Sequence, residues 1–200
     1  MKPVKTLRLM GLSSGILLSL AASSNSLAAD LAWQVTPFAG YSSSMSFDSN
    51  EVSNLESKEG GNWGLMVHKE TKDPGILGVL FSNQKTDLTP DGYGDLTIQY
   101  LHLSGALVSP DTLHPYIGAG AGLTRLSAYD STIKPSMSLA VGIQPRLANN
   151  FAITAELRGY GTFFNSSSQF ICDPAVACKA RVESKLMGQL QANIGMTFRF

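Results

Sequence analysis

The last fifteen residues of the chain, Leu186–Phe200, read LMGQLQANIGMTFRF. Their even-numbered positions are apolar apart from one glycine, and their odd-numbered positions are mostly polar. Successive side chains of a β-strand point to opposite faces of the sheet, so this alternation predicts a strand with one apolar and one polar face. The same division of faces occurs over residues 136–144 and 153–158. The chain is therefore expected to be all-β.

The composition of the polar positions indicates which face of these strands meets water. They hold mainly Gly, Ser, Thr, Gln and Asn, whereas a water-soluble surface carries many Lys, Glu and Asp. The whole chain is 44% hydrophobic and only 15% charged, against about 25% charged residues in a typical soluble domain. A soluble barrel would turn the apolar set inward, but small uncharged side chains suit a narrow lumen better. We therefore expect an antiparallel up-and-down transmembrane β-barrel.

Eight strands can be placed along the chain on this pattern. They cover residues 31–41, 62–69, 76–84, 96–107, 113–124, 136–147, 151–163 and 185–200. Short connections at 70–75, 108–112 and 148–150 alternate with longer ones at 42–61, 85–95, 125–135 and 164–184. An even strand count with long outer loops over short periplasmic turns is typical of outer-membrane barrels. Eight strands enclose little more than their own side chains, which disfavours an efficient solute pore.

Two of these strands contain residues that fit the pattern poorly. Pro37 lies inside the first strand, where proline removes an N–H that the ladder uses, and we expect a local bulge there. In the fourth strand, Ile98 and Tyr100 indicate one outward face, whereas Leu101 and Leu103 indicate the other. A second bulge, or inward packing of the two leucines, would reconcile them.

The first residues of the chain carry an export signal. A positively charged start precedes an apolar run over 9–22 and the small-residue site Ser26–Ala28. A membrane-anchoring helix would need about 20 mostly apolar residues, and this run is shorter. We expect a signal peptide cleaved after Ala28 or Ala29, leaving 29–200 as the barrel domain. The formal net charge of +0 argues against a nucleic-acid partner.

Three segments resemble the small eight-stranded family of bacterial outer-membrane barrels, the OmpA-type or porin-family barrels. The end of the chain, Ile194–Phe200, is similar to the family's C-terminal strand, and 33–41 and 115–122 resemble its first and fifth strands. In that family the terminal aromatic residue is read by the insertion machinery, which implies this role for Phe198 and Phe200. The resemblance also implies a monomer in the bacterial outer membrane, surrounded by its lipid and lipopolysaccharide.

The two cysteines of the chain, Cys172 and Cys178, lie in the longest outer connection. Exported chains pass through an oxidising compartment, so an even pair in this position predicts a disulfide. Metal binding is the weaker alternative, because two thiols need further ligands and the loop contains no histidine.

Four charged residues fall on the polar, inward-facing parity: Arg146, Glu156, Arg158 and Arg199. Buried charges must be paired or hydrated. Glu156 and Arg158 are two positions apart on one strand and project to the same side, which predicts an interior ion-pair network. We expect this cluster to fill the lumen rather than to catalyse a reaction, with Arg146 and Arg199 near the periplasmic mouth.

One short motif raises the question of an enzyme. His102 and Ser104 resemble the His-x-Ser of the lipid A deacylase barrels, in which the histidine activates the serine. That family continues with asparagine where this chain has Gly105. We therefore expect no catalytic residue, cofactor or metal site, and we place His102 at the membrane interface beside a girdle residue, Tyr100.

The expected role is structural or one of surface interaction through the outer loops, whose ligand the sequence leaves open. A narrow pore for small solutes is the first alternative, and a lipid A-modifying enzyme is the second.

Overall fold

The computed structural model describes residues 32–43, 45–47, 55–71, 74–89, 95–128, 131–164, 171–173, 176–180 and 186–200. The expected signal peptide lies outside these residues. Eight long strands form the fold: β1 Trp33–Ser42, β2 Gly60–Glu70, β3 Gly75–Thr89, β4 Asp95–Val108, β5 Pro115–Ser127, β6 Ser131–Ile143, β7 Phe151–Phe163 and β8 Leu186–Arg199. Within the described ranges, no helix is long and apolar enough to cross a membrane.

The eight strands close into one antiparallel barrel. Each strand pairs with the next along the chain, and β1 pairs with both β2 and β8. Gly40 of β1, for example, lies opposite Asn62 of β2 on one side and Asn193 of β8 on the other. The predicted fold, an eight-stranded antiparallel up-and-down barrel, is confirmed. Closure leaves no sheet edge within the barrel wall.

Short strands lie at the ends of the barrel. Met45–Phe47 pairs with Leu55–Ser57, which in turn pairs with the far end of β3. Arg146–Ala148 follows β6 and pairs with β7. A separate hairpin joins Ile171–Asp173 to Val176–Ala180.

Two connections are shorter than the sequence predicts. β3 continues to Thr89 and β4 begins at Asp95, while β5 continues to Ser127 and β6 begins at Ser131. Most outward positions in these extensions are polar, with Ile133 and Pro135 as the exceptions, so the apolar alternation weakens there although the backbone ladder continues. The predicted strand ends at 84 and 136 were wrong by five residues because they followed the apolar pattern, whereas those at 96 and 124 lie within three residues of the observed ends.

The barrel wall turns its apolar residues outward. Leu139 and Ile194 are each 68% exposed on the outer surface, whereas Gln191 and Thr197 inside are fully buried. Aromatic side chains mark both ends of the outer apolar band, Tyr41, Trp63 and Phe163 at one end and Trp33, Phe198 and Phe200 at the other. Paired aromatic girdles of this kind flank the lipid-facing band of outer-membrane barrels.

Pro37 causes no bulge. The β1–β8 ladder is interrupted between Val35 and Phe38, but both residues keep the same register with β8. Pro37 itself pairs with Leu65 of β2. The bulge prediction was wrong because the missing N–H omits a hydrogen bond without inserting an extra residue.

The structure of β4 shows neither the bulge nor the inward packing of Leu101 and Leu103 that the sequence analysis offered. Its register with β3 and β5 is continuous, and Leu101 and Leu103 face outward. The buried residues are Leu96, Ile98 and Tyr100, which point into the lumen. A lumen filled by side chains accepts apolar groups as well as polar ones. Ile98 and Tyr100 therefore face inward, although their apolar character in the sequence indicates an outward, lipid-facing position.

Candidate functional site

The lumen is the candidate site, and its half away from the chain termini is filled by apolar side chains. We call this half the upper half, and the end that carries Trp33 and Phe200 the lower end. The apolar plug consists of Leu80, Leu96, Ile98, Tyr100, Leu126 and Tyr160, all buried. The rings of Tyr100 and Tyr160 stack with centroids 3.8 Å apart and planes at 20°. This stack spans the lumen from β4 to β7.

Amide side chains lie beside the plug and pair with the hydroxyl of Tyr100, whereas the buried hydroxyl of Tyr160 has no hydrogen-bond partner among the described residues. Tyr100 donates its hydroxyl hydrogen to Oε1 of Gln189 at 2.9 Å, and Gln189 donates to Oε1 of Gln84 at 2.6 Å. The phenol of Tyr100 is therefore paired although it is fully buried.

A buried ion pair lies beneath the plug, on β7. Arg158 donates from Nε to Oε1 of Glu156 at 2.8 Å and from Nη2 to Oε2 at 2.7 Å. The side chains of Arg158 and Glu156 are only 4% and 1% exposed. Arg158 also donates to Ser138 at 3.1 Å, and Tyr116 donates to Glu156 at 2.9 Å. The pair is bidentate, and each of its two side chains makes one further hydrogen bond.

Glycines leave room for these side chains to lie over a neighbouring strand on the inner face of the barrel. Tyr116 and Gly142 are directly opposite in the register of β5 and β6. A Cβ at Gly142 would lie 2.5 Å from Cζ and 2.6 Å from the hydroxyl of Tyr116, so any larger residue would displace the ring from Glu156.

The histidines form the same kind of contact across a glycine. His102 and Ser136 both pair with Gly122 of the intervening β5, and Nε2 of His102 lies 2.8 Å from Oγ of Ser136. In the same way His68 reaches across β3 to Ser104 at 2.8 Å. His102 is fully buried, so its prediction as an interfacial residue was wrong, as was that of Tyr100 as a girdle residue. The even-numbered positions of β4 all face inward.

The lower end of the lumen is polar and open. Arg199 forms an ion pair with Glu70, whose Oε1 also accepts from Nε2 of Gln34 at 2.9 Å. Gln144 donates to Thr154 at 3.2 Å and to Thr197 at 3.0 Å, and so reaches across β7 to β8. A cavity of about 440 Å³ lies at this end and is lined partly by Gln34, Glu70, Gln144 and Arg146.

A smaller chamber of about 20 Å³ lies beside the ion pair. Its lining includes His68, Ser104, Tyr116, Glu156 and Arg158. A space of this size holds about one water molecule. The chamber shares Ile76 and Gln144 with the lower cavity, so these two residues lie between the two spaces.

The structure brings together two of the four charges singled out in the sequence. Glu156 and Arg158 contact each other, whereas Arg199 pairs with Glu70 at the lower end. Arg146 is exposed and lines the lower cavity. The sequence analysis missed Glu70, which ends β2 beside a turn. Glu70 shares the inward-facing, even-numbered positions of β2 with His68, and this could have identified it in the sequence.

The aromatic residues of the C-terminal strand lie on the outer wall. Phe198 packs against Phe151 with ring centroids 5.6 Å apart, and Phe200 is exposed at the lower end. Their role as an insertion signal stays a prediction.

The cysteines lie on the separate hairpin. Cys172 belongs to Ile171–Asp173 and Cys178 to Val176–Ala180, two segments that pair antiparallel. Their side chains lie outside what the structure describes, and the disulfide between them stays a prediction. Thiol titration of the folded protein without reductant should find no free thiol, and two thiols after reduction. Two reactive thiols in the unreduced protein would contradict the bond.

Comparisons with known proteins agree with this architecture. Neisserial surface protein A is 13% identical with a TM-score of 0.61, over 84% of this chain and 99% of that chain. The N-terminal β-barrel domain of Pseudomonas aeruginosa OprF is 13% identical with a TM-score of 0.51, over 86% and 98%. The outer membrane protein AlkL is 12% identical with a TM-score of 0.55, over 90% and 95%. At such identities the likeness shows the fold.

A search of curated proteins finds no match to the chain. The family model described as the outer membrane protein beta-barrel domain matches residues 14–200. This match covers the whole barrel and part of the segment that the sequence predicts to be a signal peptide. The chain therefore belongs to the outer membrane protein beta-barrel family of the bacterial outer membrane.

Proposed function

We propose that this barrel is a closed, non-catalytic membrane anchor whose external loops form its contact surface in the bacterial envelope. In outer-membrane barrels the short turns face the periplasm and the longer loops face outward. The upper end carries the two longest connections, between β1 and β2 and between β7 and β8, so the lower end is periplasmic and the upper end external. The proposal includes export through the cleaved signal peptide, insertion by the outer-membrane machinery and a monomer surrounded by lipid and lipopolysaccharide.

The apolar plug is the observation that carries this proposal. Leu80, Leu96, Ile98 and Tyr100 are all fully buried within the lumen. An ion that crossed this layer would lose its hydration without finding polar replacements, which is costly. The Arg158–Glu156 pair below the plug adds a second closed layer. These two layers favour an anchor over the alternative of a narrow pore.

The surroundings of Ser104 support the absence of catalysis. Its hydroxyl contacts His68 rather than His102, and His102 contacts Ser136 and Ser138 instead. The adjoining chamber of about 20 Å³ has space for about one water molecule and excludes a lipid substrate. His102 and Ser104 therefore make separate structural contacts, each across a glycine, with Ser136 and His68 respectively.

Planar-bilayer recording tests whether the lumen is closed. We expect no stable conductance steps from the wild-type protein, because the plug fills the upper lumen. A Tyr100→Ala/Tyr160→Ala/Glu156→Ala/Arg158→Ala variant truncates side chains in both closed layers and should conduct, whereas Tyr100→Phe/Tyr160→Phe keeps both layers and should stay closed. Folding of each variant is checked by its shift in gel mobility on boiling. Stable wild-type steps as large as those of the alanine variant would contradict the proposal and establish a pore.

A further inference from the structure

Three polar residues form a continuous row on the outer wall near the upper end. The register places Asn83 of β3 opposite Gln99 of β4, and Gln99 opposite Arg125 of β5. Nε2 of Gln99 donates to Oδ1 of Asn83 at 3.0 Å. We call these three residues the amide–arginine row. Their side chains face outward, toward the surrounding lipid and away from the lumen.

The depth of this row coincides with the upper edge of the apolar band. The next row toward the periplasm consists of Phe81, Leu101 and Leu123, on the same three strands. Trp63 lies beside Asn83 at the same level and is exposed on the outer surface. Tryptophan is enriched where the acyl region meets the headgroups. The amide–arginine row therefore lies at the level of the outer-leaflet headgroups.

Arg125 lacks an acidic partner among the described residues. The nearest acidic side chains in the register are Asp95 and Asp87, which lie beyond the apolar band in the extension of β3 and β4. Asp95 is already paired, with its Oδ2 2.6 Å from Nζ of Lys85. This hydrogen bond raises the pKa of the Lys85 ammonium and lowers the pKa of the Asp95 carboxyl. Both groups are thus charged at neutral pH and engaged with each other.

We propose that Arg125, flanked by the side chains of Gln99 and Asn83, binds a phosphate group of an outer-leaflet lipid. A guanidinium presents a planar fork of donors that matches phosphate oxygens bidentately. The free amide hydrogens of the row supply uncharged donors beside it. Leu123 and Leu101 lie directly below and contact the acyl chains of the same lipid. The proposal rests on the external position of the upper end in the proposed function and is independent of whether the lumen conducts.

Lipid binding to the folded protein in nanodiscs tests the site. The probes are lipid A carrying both phosphates, chemically dephosphorylated lipid A, and inorganic phosphate as a competitor, with bound lipid measured by native mass spectrometry. Arg125→Gln should weaken binding of phosphorylated lipid A about tenfold, the equivalent of one charge-assisted contact. Arg125→Lys should retain part of the binding, because it keeps the charge but loses the fork.

The matched control is Arg146→Gln, which removes an exposed arginine at the periplasmic end. It should leave binding of every probe unchanged, as should Arg125→Gln for dephosphorylated lipid A. Equal losses in the two glutamine variants would show a general charge effect and overturn the proposal. Unchanged binding in Arg125→Gln would overturn it as well. If inorganic phosphate displaced no lipid but bound at Arg125 by itself, the site would be one for free anions and the lipid assignment would fail.

Discussion

The Glu156→Gln variant is expected to lose about 3–5 kcal/mol of unfolding free energy, the usual cost of removing one partner of a buried ion pair. The guanidinium of Arg158 would remain inside the lumen, 4% exposed, without a carboxylate. Ser138 is its one other hydrogen-bond acceptor among the described contacts. A single hydroxyl does not replace a bidentate carboxylate, so the charge would be left largely uncompensated. Urea titration of the protein in lipid vesicles measures the change.

A double variant separates loss of the pair from loss of the charge. Glu156→Gln combined with Arg158→Met removes both charges and keeps similar volume, so most of the lost stability should return. Tyr116 could still donate to the new amide oxygen, and Ser138 would keep its contact with His102. Recovery in the double variant would show that the unpaired arginine, and not the shape of the pocket, is what destabilises Glu156→Gln.

The exposed pair at the external end provides the control. Asp95→Asn breaks the contact with Lys85, but both side chains are in water and should rehydrate without measurable loss of stability. If Glu156→Gln were as mild as Asp95→Asn, Arg158 would have to be hydrated through the neighbouring chamber. The lumen would then be wetter than its packing indicates, and the idea of a second closed layer would be wrong.

Much of the fold was predictable because the membrane imposes a simple pattern on the outer wall. Leu139 and Ile194 face lipid, and alternation alone assigns them correctly. The bounds of β7 at Phe151 and Phe163 match the prediction, since Asn149 and Asn150 mark the turn before it. The pattern fails in β4, where Tyr100 suits either a girdle or a packed lumen. Alternation divides a strand into two faces, but it cannot show which face is turned to lipid when both carry apolar residues.

The candidate site was less predictable because its contacts depend on the stagger between strands. Glu156 and Arg158 share a strand and a face, so their proximity follows from the sequence. The contact of Tyr116 with Glu156 joins β5 to β7 across β6, and it requires Gly142 at one register position. The His102–Ser136 contact requires Gly122 in the same way. Inward glycines between larger polar residues are a signal that sequence reading could use, but register decides which residues they connect.

Placing a charge in the middle of the outer wall is the most direct test of the barrel's orientation. Leu139 lies on β6 midway between Pro135 and Ile143, and its neighbours in the register are Ala119 and Gly159. In a bilayer its side chain meets the centre of the acyl region. Leu139→Arg is therefore expected to lower the unfolding free energy by about 2–4 kcal/mol, the cost of an arginine at the midplane of a barrel wall.

Ile133→Arg is the matched control, with the same strand, the same face and a comparable apolar side chain. Ile133 lies beside Arg125 at the level of the headgroups, where an arginine can reach water and should cost about 0–1 kcal/mol. The difference between the two variants in vesicles isolates depth, because the chemistry of the substitution is nearly the same. Equal costs at both positions would mean that the wall does not span a low-dielectric layer between them. The outward apolar face would then need another explanation, and with it the location of the amide–arginine row at the lipid boundary.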